Sequence, residues 1–244
     1  SALASGKEGM EFTIISVIGT LLIGWFIGRK VLKLDRNTSY LISSGTAICG
    51  GSAIAAVGPV VKANDSEMSV ALATIFILNA LALFIFPVIG HALNMSQHEF
   101  GTWAAIAIHD TSSVVGAGAA YGEEALQIAT TIKLTRALWI IPLALITSFV
   151  FKSKGQKISI PWFIFFFILA MVFNTYVLSS SETGIMIGEG INSLARKTLT
   201  ITLFFIGASL SRDVLKAVGI KPLIQGVLLW ITISVSTLAY IYWF

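Results

Sequence analysis

The strongest constraint on this chain is a succession of apolar runs, each about as long as a bilayer is thick, joined by short polar connections. A helix needs ~20 apolar residues to cross hydrocarbon, and in lipid only helices and closed barrels satisfy their own backbone hydrogen bonds. The runs fall at about 11–28, 38–62, 67–91, 99–121, 124–151, 158–178, 189–210 and 222–244. Of all residues, 56% are hydrophobic and 11% charged, against ~25% charged in an average soluble domain. The chain therefore reads as an all-α polytopic membrane protein, a helical bundle forming one transmembrane domain over 1–244. Its formal net charge of +4 does not call for a nucleic acid partner. The basic residues collect in loops at 29–36, 152–157 and 212–221, the distribution expected of cytoplasmic loops. That orientation places the C-terminus outside.

Two of the runs contain what a membrane helix avoids. The first carries Gly45-Thr46-Ala47-Ile48-Cys49-Gly50-Gly51-Ser52 and ends Gly58-Pro59. The spacing predicts a helix starting after Asn37-Thr38, a break at Gly50-Gly51, and a restart with Ser52 as N-cap. The second breaks at His109-Asp110-Thr111 and restarts behind Thr111-Ser112, with Ser113 following. Placing Ser52 on Ser112 also places Gly58 on Gly118, a weak internal repeat of the kind an inverted-repeat transporter fold would carry. If both discontinuous segments cross the membrane there are eight spans; if both turn back there are six. Lys62, set against a 91–99 loop without Lys or Arg, favours turning back. The ~25-residue lengths favour crossing, and length is given the greater weight.

A helix broken in hydrocarbon frees backbone groups that cost several kcal/mol each, so it persists only in protein or beside a wet cavity. Restarted helices present N–H groups and a positive dipole end. Gly45, Thr46, Gly50, Gly51, Ser52, Thr111, Ser112 and Ser113 are therefore candidates for binding a small anion. Lys133 and Arg136 share a helix face well inside the fifth run. Either they neutralise Asp110 or they also meet the anion. His109 and Asp110 are the candidates for proton or ion coupling, and Asp110 with Thr111 is also a candidate Na⁺ site. Asn79, in the middle of the third run, reads as interhelical glue. Cys49 has no partner for an intrachain disulfide and reads as a packing residue. His109, Asp110 and Ser112 are triad residue types, but neighbours on one short segment do not converge on a reaction site. With no His-Glu-x-x-His motif and no phosphate loop, an intramembrane enzyme is the weaker reading, and no cofactor is expected. Oligomeric state is open, a homo-oligomer included.

Ser44 to Ala56, then Pro59-Val60-Val61-Lys62-Ala63, then His109 to Gly118 followed by Lys133 and Arg136, resemble the YeiH-type bacterial membrane proteins, a family whose name refers to sulfate export. The resemblance runs through most of the chain. It implies an inner-membrane transporter of about ten or eleven spans, so an N-terminal portion is expected to be missing. It further implies export of sulfate or a related sulfur oxyanion. Transport of a carboxylate or other organic anion, coupled to an ion, is the alternative.

Overall fold

Residues 2–151, 162–178, 181–209 and 218–243 are described by a computed structural model. The expected basic loop at 152–157 and most of that at 212–221 lie outside them. Every regular element among the described residues is a helix. Helix α1 (Ala2–Phe26) runs into a π turn, Ile27–Val31, that carries Arg29 and Lys30. Helix α2 (Arg36–Ala47) starts earlier than expected because Asp35 is its N-cap, accepting from Thr38 N at 2.7 Å. Helix α3 is Gly51–Val57. Helix α4 (Asp65–Ala92) begins at a reciprocal Asn64–Glu67 capping box and accommodates Pro87 without ending. Helix α5 (Gln97–Ala107) begins at a second box, Ser96–Glu99. Helix α6 is Thr111–Tyr121, and α7 (Glu123–Ala137) and α8 (Ile140–Val150) follow almost in line. Helices α9 (Trp162–Tyr176), α10 (Glu182–Ser209) and α11 (Ile220–Trp243) complete the order. Among the described residues four stretches are long and apolar enough to cross a membrane: Thr13–Val31, Asp65–Ala92, Glu123–Val150 and Ile220–Trp243.

The weighting toward eight crossings is corrected by the contacts at the ends of the two interrupted segments. Asn37, in the first turn of α2, donates through Nδ2 to Glu67 Oε2 in the first turn of α4 at 3.0 Å. Had α2 and α3 formed one crossing, those two turns would lie on opposite sides of the membrane. Instead Gly45 packs on Ile54 and Ile75, Gly51 on Phe76 and Leu72, and Gly58 on Met68. The chain goes in along α4 and comes back along it. The same argument holds for α5 and α6. Gln97, at the start of α5, accepts through Oε1 from Glu124 N at 3.0 Å, just past the end of α6. Tyr121, the last residue of α6, donates its hydroxyl to the Met95 carbonyl at 2.5 Å and stacks on Phe100 and His91. Both interrupted segments are hairpins, one entering beside the N-terminus of α4 and the other beside its C-terminus.

The mouths of the hairpins define two faces of the bundle. The first face carries Arg29, Lys30, Lys33, Arg36, Lys62 and Lys221. The opposite face carries Glu99, Glu123 and Glu124. Lys62, at the mouth of the first hairpin, lies on the basic face, as turning back requires.

Each hairpin has its own core. Leu41, Ile42, Ile48, Ile54, Ile75 and Ile140 enclose the first. Phe86, Phe100, Trp103, Ile106, Ile108 and Val114 enclose the second. Helix α11 joins the two. Its Gln225 donates to the Gly24 and Ser39 carbonyls, both at 3.0 Å, and its Ser234 carbonyl accepts from Trp103 Nε1 at 3.1 Å. Glycines at 24 and 28 let α1 approach this polar seam: a Cβ at either would overlap Ser43 or Ser39 and displace the α2 contact.

Candidate functional site

The tips of the two hairpins meet. A Cβ placed on Gly50 would lie 3.2 Å from the His109 carbonyl oxygen and 3.3 Å from Asp110 Cα. Gly50 also has φ +69° and ψ −125°, a conformation open to glycine and strained for other residues. The first tip can therefore take its turn, and touch the second, only without a side chain. The meeting point falls beside Asn79, near the midpoint of the 28-residue α4, whose Oδ1 accepts from His109 N at 3.0 Å and Asp110 N at 3.1 Å. Asn79 is indeed glue, but to the backbone of a helix break.

The caps differ from those expected. Ser52 and Ser112 each occupy the second position of their helices, not the N-cap. The N-cap of α3 is Gly50, with no side-chain hydrogen bond. That of α6 is Asp110, which accepts through Oδ2 from Ser112 N at 3.0 Å and Ser113 N at 3.4 Å. Serine has the better N-cap propensity than glycine, but the positive φ at the first tip overrides it.

Lys133 and Arg136 make hydrogen bonds to main-chain carbonyls, while the Lys133 charge also acts on Asp110. Lys133 Nζ donates to the Ile108 carbonyl at 2.7 Å. Arg136 Nη2 donates to the Ala47 carbonyl at 2.5 Å, and its Nη1 to Ser16 Oγ at 3.2 Å. Each cation thus closes the C-terminal end of one hairpin's first helix, where unpaired carbonyls and the negative dipole end attract it. Hydrogen bonds to charged groups contribute about 1.5–3 kcal/mol each. Sixty residues separate Gly50 from Asp110 and Ala47 from Ala107, so two cations one helical turn apart serve near-equivalent carbonyls in two hairpins of opposite entry.

The candidate residues come together at this point. Thr46, His109, Ser113, Lys133 and Arg136 are buried; Gly51, Ser52, Asp110, Thr111 and Ser112 are half-buried. Several buried polar atoms have no partner: Thr46 Oγ1, Asn79 Nδ2, both ring nitrogens of His109, and Arg136 Nε. Cys49 is buried with a free thiol in the first tip. Among the described residues no cluster of three or more His, Cys, Asp or Glu is placed to hold a metal. What sequence reasoning missed is the role of main-chain carbonyls 47 and 108 as the partners of the two cations. The signal available was their position just before each break.

Two hairpins inserted from opposite faces and touching at mid-depth belong to a helical polytopic membrane protein. The chain belongs to the family described as Conserved hypothetical protein 698, whose model matches residues 2–226. It is 81% identical over 242 residues to a UPF0324 membrane protein of Bacteroides thetaiotaomicron, covering 99% of this chain and 72% of that one. It is 66% identical over 241 residues to a UPF0324 membrane protein of Porphyromonas gingivalis, with 98% and 72% covered. A further relative, from Photobacterium profundum, is 54% identical over 240 residues, again with 98% and 72% covered. This is the YeiH-type family that the two interrupted stretches resemble. No solved structure matches the chain.

Proposed function

We propose that this protein is a secondary transporter for a small anion, held where the hairpin tips meet. The observation that carries the reading is the surplus of donors there. Asn79 Nδ2 and Arg136 Nε are buried without an acceptor, and Lys133 and Arg136 outnumber the single carboxylate, Asp110. A buried donor left unmade costs about 1–3 kcal/mol, a cost that an acceptor-rich ligand removes. The half-buried first turn of α3, whose N-cap Gly50 offers no side-chain acceptor, adds backbone donors at the same depth. Tip-to-tip hairpins also offer one gate per membrane face, which alternating access requires.

In this reading the face carrying Arg29 to Arg36 and Lys62 is cytoplasmic, the membrane is the bacterial inner membrane, and the C-terminus is periplasmic. His109 and Asp110 are the coupling residues, with H⁺ or Na⁺ as the coupled ion. Sulfate or a related sulfur oxyanion is favoured over carboxylates by the family resemblance alone. The intramembrane enzyme gains no support from the geometry, because Asp110 caps its own helix while both His109 ring nitrogens lack a partner and neither is bonded to Ser112.

The test is a thermal-shift screen of the purified protein against sulfate, sulfite, thiosulfate and carboxylates, each with and without Na⁺ over a pH series. One anion class is expected to raise Tm, and Lys133→Ala and Arg136→Ala to abolish that rise. Because both side chains hold carbonyls, Ser52→Ala and Ser112→Ala, which leave those bonds intact, are expected to weaken it too. No response to any anion at any pH, or a response untouched by all four substitutions, would overturn the proposal.

A further inference from the structure

Away from the tips, an apolar groove of about 320 Å³ opens between α1, α2 and α8. Ile18, Leu22 and Ile146 line its depth, and all three are exposed on the outside of the bundle. At the basic face the groove ends in an aromatic frame. Trp25 meets Tyr40 edge-on at 6.1 Å, and Tyr40 lies 5.0 Å from Phe151. The Tyr40 hydroxyl is 2.7 Å from Thr147 Oγ1, which ties α2 to α8 beneath the frame. Arg36 lines the mouth with its guanidinium 4.0 Å from the Phe151 ring centroid. Among the described residues no acceptor meets its N–H donors.

We propose that this groove is a binding site for one anionic phospholipid, with an acyl chain along the groove and the phosphate on Arg36. A groove open to hydrocarbon is filled by an apolar chain. A guanidinium stacked on an aromatic ring keeps its planar fork free for a phosphate, in two parallel hydrogen bonds. Arg29, 6.0 Å from the Trp25 ring, and Lys33 on the same face add charge complementary to an anionic headgroup. Anionic lipid attracts each such cation near the surface strongly enough to set a preference over zwitterionic lipid. The site does not depend on the anion proposed at the tips.

Native mass spectrometry of the purified protein, loaded with phosphatidylglycerol or phosphatidylcholine of identical acyl chains, tests it. One phosphatidylglycerol is expected to be retained in preference, and Arg36→Ala to cut that preference about fivefold. Ile146→Trp, at an exposed position that fills the groove, is expected to remove the retained lipid while sparing any anion-induced thermal shift. Soluble glycerol phosphate is expected not to compete, since the chain is needed. Equal retention of the two lipids would overturn the proposal, as would a preference surviving both substitutions or displacement by glycerol phosphate. A photo-crosslinker placed at residue 146 in native membranes should capture lipid; capture of a protein segment would assign the groove to a further helix instead.

Discussion

The two hairpins reverse direction beside each other by opposite means. The second tip is held by side chains: Asp110 caps α6, Asn79 grips the backbone of His109 and Asp110, and Lys133 closes α5. The first tip has no side-chain cap at all. It relies on a glycine with φ +69°, a backbone bond from Gly50 N to the Gly45 carbonyl at 2.8 Å, and Arg136 on the Ala47 carbonyl. The pair shows that a helix break inside a membrane can be stabilised either by supplying polar partners or by removing bulk so that the neighbouring break supplies the contact. The mouths differ as well. A Phe100–Tyr121 stack at 3.8 Å with the tyrosine hydroxyl on Met95 closes the second; a single Asn37–Glu67 hydrogen bond spans the first.

This contrast can be broken most severely at Asn79. Asn79→Leu strands two buried N–H groups at the second tip, at about 1–3 kcal/mol each. Chemical unfolding in detergent is expected to show a loss of roughly 2–6 kcal/mol, while Asn79→Asp, which retains the acceptor, recovers part of it. An equal loss for both variants would remove the acceptor role. Next in size is Gly50→Ala, which forces a side chain into a strained backbone and against the His109 carbonyl. A cost of about 1–3 kcal/mol is expected, with faster amide hydrogen exchange at both tips because the contact is shared. Exchange confined to residues 47–51 would show that the tips are independent.

Asp110 separates capping from charge with the smallest expected effect. Asp110→Ala loses the cap and should cost about 0.5–2 kcal/mol. Asp110→Asn keeps an oxygen for Ser112 N and Ser113 N and is expected to cost little in thermal stability. If Asp110 also couples transport to an ion, the Asn variant should nevertheless lose the pH or Na⁺ dependence of anion binding. An Asn variant that keeps that dependence would leave Asp110 with the cap alone.

Much of this site was readable from local chemistry. Four glycines, a proline and small hydroxyls in one apolar run, and His109-Asp110-Thr111 in another, marked both breaks within a residue or two. Lys133 and Arg136 were recognisable because charge at that depth demands a partner. Their partners were not, since a carbonyl has no sequence signature and a carboxylate in another segment looks the more natural mate by charge alone. Propensity favours Ser52 as a cap, but Gly50 overrides it through close approach to Asp110. The choice between crossing and turning back was decided by where the ends of each segment dock, and only Lys62 carried a trace of it.

The sequence by itself determined that this is a helical membrane protein with two interrupted segments, because apolar run length, breaker residues and loop charge act locally and independently of what packs where. The tertiary structure alone decided that the interruptions are hairpins from opposite faces, that their tips touch, and that the buried cations hold main-chain carbonyls. A backbone in lipid must find partners for every N–H and C=O, but which partners it finds depends on what the fold brings beside each break.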